Sequence, residues 1–101
     1  MTVRTNLSQA GDALTISVDG KFDFGSLTEF RQAYSQDHGR VSKYLVDMRG
    51  TSTMDSSALG MLLNMKKHLN KDDREIRIIN CNSALKKILL IARFDKKFTI
   101  D

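Results

Sequence analysis

The sequence predicts an α/β domain with a mostly parallel central sheet, an N-terminal antiparallel strand pair and about three helices. Three observations lead there. Short β-patterned runs alternate with helix-patterned runs, the first two β runs are separated only by the turn residues Ala10-Gly11-Asp12, and each helical run carries a one-sided apolar stripe. A chain of 101 residues has the length of one domain, 1–101. At that length roughly two thirds of the unfolded surface can be buried.

Alternation at Val3, Thr5 and Leu7, then at Leu14, Ile16 and Val18, predicts the antiparallel pair. Ser26-Leu27-Thr28-Glu29 reads as a capping box that opens a helix with Leu27, Phe30 and Tyr34 on its buried face, and Gly39 closes the segment. Tyr44 to Met48 reads as a central strand. The next helix, from about Ser56 to Leu69, has Ala58, Leu62, Met65 and Leu69 as its core stripe, widened by Leu59 and Leu63. Ser57, Gly60, Met61, Asn64 and Lys67 fall on its other side, so Met61 is expected to be an exposed, flexible hydrophobe suited to docking. After the turn Asn70-Lys71-Asp72-Asp73 come a strand from Glu75 to Asn80 and a short helix with Leu85, Ile88, Leu89 and Ala92 inward. A last short strand is expected from Lys97 to Ile100. Right-handed crossovers through the helices join the parallel strands.

The segment Met54-Asp55-Ser56-Ser57-Ala58-Leu59-Gly60 carries the chemistry. Asp55 at N-cap can accept from the free N–H groups of Ser57 or Ala58, while Met54 can pack on Leu59 as a hydrophobic staple. Ser56 and Ser57 then occupy the first two helical positions. A phosphate there would sit by unpaired N–H groups and the positive end of the helix dipole. It would add about −1.5 to −2 charge beside an existing carboxylate and expel a partner fitted to the neutral surface. The pattern by itself is also ordinary helix-start chemistry.

Composition narrows the function classes. Hydrophobic content of 41% with 28% charged residues is that of a water-exposed globular domain, and no apolar run approaches the roughly 20 residues of a membrane span. No secretory signal is visible at Met1-Thr2-Val3-Arg4, which makes the cytoplasm the expected compartment. Cys81 is alone and sits where a small hydrophobe would serve equally well. The net charge is +4 and the pI about 9.4, with ten of 16 basic residues from Lys66 onward. They are scattered over several elements and aromatics are only 7%, so an acid-partner-facing surface is favoured over direct nucleic-acid binding. His38 and His68 stand apart, neither has metal-ligand spacing with Cys81, and there is no G-x-S-x-G elbow, P-loop or dinucleotide motif. A hydrolase triad of Ser56, His68 and an acid has no positive feature behind it. No catalysis, metal or cofactor is expected.

Asp-Ser-Ser-Ala-Leu-Gly after the strand Tyr44-Leu45-Val46-Asp47-Met48 resembles the central motif of STAS domains, the fold of bacterial anti-sigma factor antagonists. Gly20-Lys21-Phe22-Asp23 resembles the family's turn before the first helix, and Ile76 to Cys81 with Asn82-Ser83-Ala84-Leu85 resembles its fourth strand and third helix. The similarity covers nearly the whole chain. It implies that Ser56, directly after the motif aspartate, is the phosphoacceptor, with Ser57 as runner-up. It also implies a partner face made of Asp23, Asp55, Ser57, Gly60, Met61 and Asn64. Asp23 has an equally good reading as a simple turn residue. Ala58 departs from the glycine that many members carry, a change that favours helix. The implied partners are a histidine-kinase-like serine kinase/anti-sigma protein, which binds the form with free Ser56 and supplies ATP, and a PP2C-type serine phosphatase that restores that form. Sigma-factor release, biofilm control and motility control are all compatible with the resemblance. Many members continue into a final helix where this sequence stops at Asp101, which leaves part of the sheet face either open or covered by a second molecule in a homodimer. Two other readings stay open: an unmodified structural STAS subunit of a larger sensor or lipid-transport assembly, and a basic nucleic-acid-binding module.

Overall fold

The computed structural model describes residues 3–36, 41–69 and 74–101. Its elements are β1 (Val3–Leu7), β2 (Ala13–Val18), β3 (Gly20–Phe22), α1 (Leu27–Ser35), β4 (Lys43–Asp47), β5 (Thr51–Met54), α2 (Ser56–Leu69), β6 (Glu75–Ile79), α3 (Ser83–Ile91) and β7 (Thr99–Ile100). The main sheet has the order β1-β2-β4-β6-β7, antiparallel between β1 and β2 and parallel from there on. From β2 to β7 the chain steps along the sheet in one direction. Right-handed crossovers that all step the same way put all three helices on one face.

That face is the core. Leu14 pairs with Tyr44 and Tyr44 with Ile76, and Ile16 with Val46 and Val46 with Ile78, so aligned rows of buried side chains lie under the helices. Thr15, Ser17, Leu45, Asp47 and Arg77 alternate with them on the opposite face and are only half-buried. One covered face is why the polar-apolar alternation of β2 is so clean. The helices contribute Phe30, Ala33 and Tyr34 from α1, Ala58, Leu62, Met65 and Leu69 from α2, and Leu85 and Leu89 from α3. Phe22, Phe30, Tyr34 and His68 form an aromatic series with centroid spacings of 5.1, 5.6 and 5.4 Å, tilted at the first pair and edge-on at the other two, which ties α1 to the last turn of α2.

Two strands escaped the sequence reading. β3 and β5 prolong β2 and β4 past Asp19 and past the Met48–Gly50 turn, and pair with each other in parallel. At three and four residues they are too short to show a period. The junction is closed by Gly20 N–H donating to Gly50 O at 2.8 Å and by the buried Thr51 hydroxyl donating to Val18 O at 2.6 Å. Gly50 is there for space: a Cβ would collide with the Asp19 carboxylate, which holds Arg4 at 2.9 Å.

Several expectations need correction. Thr5 and Leu7 are exposed, because β1 is the sheet's edge and only Val3 reaches the core. Ser26 makes no side-chain cap. A 3-10 turn, Phe24–Ser26, precedes α1, Asp23 caps that turn by accepting from Gly25 N–H at 2.9 Å, and the Ser26 hydroxyl donates instead to Lys21 O. Ala92 is exposed, since α3 ends at Ile91 and the chain turns there. The strand before α3 stops at Ile79, with Asn80 left-handed at φ 59°, and the last strand covers only Thr99–Ile100. Gly39 and the turn 70–73 lie outside the described residues.

Candidate functional site

β3 and β5 end side by side with Phe22 opposite Met54, so the next residue on each strand, Asp23 and Asp55, begins a helical segment at the same edge. Both carboxylates cap. Asp55 accepts from Ser57 N–H at 3.0 Å and from Ala58 N–H at 3.2 Å, the N-cap geometry the sequence implied. It also accepts the Ser57 hydroxyl at 2.5 Å. That bond first, and the backbone donors after it, hold the Asp55 carboxyl below its ordinary value of 3.8. Behind the cap, Met54 and Ala58 are buried and Leu59 packs against the core.

The two serines differ. Ser57 is half-buried and its hydroxyl is committed to Asp55. Ser56 is exposed at the first position of α2, and its hydroxyl makes no hydrogen bond within the described residues. The Ser57 and Ala58 N–H groups, which the sequence offered to an incoming phosphate, are already taken by Asp55. A phosphate on Ser56 would find these two N–H groups engaged and the Asp55 carboxylate nearby.

From Ser56 the outer face of α2 continues through Gly60, Leu63, Asn64 and Lys67, all exposed. Met61 does not belong to it. Met61 is only 4% exposed, while Leu63, expected to widen the core stripe, is 39% exposed. Position 61 lies between the two faces of the helical wheel, three residues after Ala58 and four before Met65, and packing draws it inward. Position 63 is four before Lys67 and seven after Ser56, on the solvent side. At Gly60 a Cβ would meet nothing within 4 Å, and unlike Gly11 and Gly20 it has no positive φ.

One residue of this end was missed. Phe24, directly after the Asp23 cap, is 71% exposed. In the sequence it sits three residues before Leu27 and reads as one more member of the apolar stripe of α1; only the 3-10 turn swings it outward. Asp23, Phe24, Asp55 and Ser56 thus lie where the chain leaves β3 and β5, and Gly60 and Asn64 continue the exposed face of α2 from Ser56.

Among the described residues Ser56 and His68 are not brought together. Ser56 and His68 stand at opposite ends of the same helix, about 18 Å apart along its axis, which removes the triad. His38 lies outside the described residues. Among the described residues no three His, Cys, Asp or Glu side chains are grouped to hold a metal ion, and no helix is long and apolar enough to cross a membrane. Cys81 is half-buried, and burial pushes its thiol up from the ordinary value, away from thiolate chemistry.

A family model described as "Mlab, STAS domain" matches residues 5–100. A STAS-domain containing protein of Pseudomonas aeruginosa is 39% identical over 100 residues, covering 99% of each chain. Among solved structures, the anti-sigma factor antagonist SpoIIAA in its unphosphorylated form superposes with a TM-score of 0.77 at 18% identity, over 98% of this chain and 86% of that one. A sulfate transporter family protein from Wolinella succinogenes gives the same TM-score of 0.77 at 14% identity, over 95% and 80%. The fold is thus shared by antagonists and by transporter-family proteins. With the family match spanning residues 5–100 and the relative aligned over nearly all of both chains, this chain belongs to the STAS-domain family.

Proposed function

We propose that this chain is a partner-switching regulator of the anti-sigma factor antagonist type, a binding module whose state is written on Ser56. The observation that carries the reading is the division of labour between the serines: Ser57 is tied to the Asp55 cap while Ser56 presents a free hydroxyl at the head of an exposed helix face. In the unmodified state Asp23, Asp55, Gly60 and Asn64, with Phe24 and Leu63 as apolar contacts, form the surface that docks on a histidine-kinase-like serine kinase/anti-sigma protein. The partner brings ATP. Its γ-phosphoryl group passes to Ser56 Oγ, the hydroxyl proton leaves to a base on the kinase, and ADP is released. The dianion then stands beside Asp55 with no free N–H of Ser57 or Ala58 to receive it, and the docked surface separates. Hydrolysis of the phosphoserine by a PP2C-type phosphatase, water adding and inorganic phosphate leaving, restores the docking form. The site lies in the cytoplasm in this scheme.

The similarity to a sulfate transporter family protein supports a second reading, an unmodified structural STAS subunit in a larger assembly. Peptide mapping of the protein from its own cells, before and after serine phosphatase treatment, separates the two. A phosphatase-sensitive phosphate on Ser56 supports the switch; Ser56 unmodified under all growth conditions favours the structural subunit.

A further inference from the structure

The outward stripe of α3 is Ser83, Lys86, Lys87, Leu90 and Ile91, at i, i+3, i+4, i+7 and i+8. The inward stripe of the same helix, Leu85 and Leu89, already supplies its core contacts. Leu90 and Ile91 are nevertheless 44% and 73% exposed, two adjacent aliphatics at the final turn. Neither Lys86 nor Lys87 forms an ion pair among the described residues. Directly after the helix Arg93 stands at φ 62°, a left-handed position that glycine adopts without steric cost. A cation at a helix C-terminus complements the dipole. The dipole does not account for the aliphatic pair beside it.

The topology gives this patch a place in the molecule. Each helix follows a parallel strand, so Ser56 and the caps lie at one end and the last helical turns at the other. At that other end Lys66, Arg74, Lys96 and Lys97 line a shallow hollow whose acids among the described residues are Glu75 and Asp95. Among the described residues the hollow is therefore mainly basic, and Leu90 and Ile91 are exposed at the same end.

We propose that this end of the domain docks on an anionic bilayer surface, with Leu90 and Ile91 entering the headgroup layer and Lys86, Lys87 and Arg93 facing lipid phosphates. A protein partner fits the composition less well, because lysine is depleted in protein interfaces and leucine is under-represented among their energetic anchors. Nucleic acid lacks a stacking surface here, since Phe94 and Phe98 are buried. Lysines and an arginine beside protruding aliphatics suit a negatively charged membrane surface. With only two aliphatics the attachment is weak, reversible and salt-sensitive. The 14-residue α2 spans about 21 Å and places Ser56 at the opposite end of the helix layer from Leu90 and Ile91.

The test is sedimentation of the full chain with vesicles of phosphatidylcholine alone or mixed with phosphatidylglycerol, at low and high salt. The expected result is binding to the mixed vesicles only, lost at high salt, and reduced about fivefold for each lysine removed in Lys86→Gln and Lys87→Gln. Ile91→Ser should weaken binding at an unchanged unfolding temperature. Arg93→Gly should weaken it while the unfolding temperature holds or rises, which separates docking from folding. Ser56→Ala should bind vesicles normally, so this outcome is independent of the phosphorylation scheme. Absence of sedimentation with the mixed vesicles at low salt, equal binding to neutral vesicles, or full binding by all the α3 variants would overturn the proposal. Displacement from vesicles by polyglutamate or DNA, with Ile91→Ser indistinguishable from the parent, would also overturn it and assign the surface to an acidic macromolecule.

Discussion

In the proposed switch, Gly60 is where helix stability and partner docking make opposite demands. It lies five residues into α2, is exposed, and a Cβ added there meets nothing within 4 Å. Glycine inside a helix costs about 0.8–1 kcal/mol relative to alanine, mostly backbone entropy, and no strained dihedral offsets that cost here. Gly60→Ala should therefore stabilise the chain by about 1 kcal/mol. With an unfolding entropy of about 2.1 cal/mol/K per residue, the unfolding temperature should rise by about 5 °C. Thermal unfolding followed by far-ultraviolet circular dichroism reads that shift. If close approach of a partner is what Gly60 serves, Gly60→Gln should keep most of the stability gain and still bind the kinase partner at least tenfold more weakly. A fall in unfolding temperature for Gly60→Ala would refute the placement of this residue in open space. Undiminished partner binding by Gly60→Gln would refute the docking face.

Three further outcomes follow from the packing. Met61→Glu should destabilise the domain by about 3 kcal/mol or more, as an unpaired charge in a tight core does, whereas Leu63→Glu should leave stability within about 0.5 kcal/mol; urea unfolding of the two variants decides between the faces. The Asp55 carboxyl should titrate below 3.8 by nuclear magnetic resonance, and Ser57→Ala should move it back up, since the Ser57 hydroxyl is the largest cause of the depression. A depressed carboxylate contributes stability above 3.8 that disappears as pH falls through its folded-state value, so Ser57→Ala should flatten the loss of stability on that acid limb. Gly50→Ala should displace the Asp19 carboxylate from Arg4, so the salt sensitivity of stability that this exposed pair contributes should disappear; an Asp19–Arg4 pair intact in the crystal structure of the variant would contradict the close approach.

Where the sequence was informative, it was through periodicity and caps. The alternation Leu14, Ile16, Val18 holds because one sheet face is covered and the other is not, and the Asp55 cap holds because its acceptor and donors are adjacent in sequence. Legibility stopped where tertiary packing chooses between near-equivalent positions. Met61 and Leu63 are both apolar and lie toward the margins of the core stripe, and only tertiary packing decides which turns inward. Thr5 and Leu7 alternate as well as Val3 does, but an edge strand can carry the pattern without the burial. Ser26 looked like a cap because Ser-x-x-Glu is a local pattern, yet the preceding 3-10 turn had already moved the cap to Asp23. That turn also exposes Phe24, which no period distinguishes from its buried neighbours. The pairing of β3 with β5, which sets Asp23 beside Asp55, is a long-range contact between strands too short to announce themselves.

In the proposed switch, modification of Ser56 alone sets affinity for the partner. The most direct measurement is titration calorimetry of the purified chain, of the same chain phosphorylated on Ser56, and of Ser56→Ala, each against the kinase partner identified by co-purification. The unmodified chain and Ser56→Ala should bind alike, and the phosphorylated chain should bind at least a hundredfold more weakly at an unchanged unfolding temperature. Equal affinity of the phosphorylated and unmodified chains would contradict it.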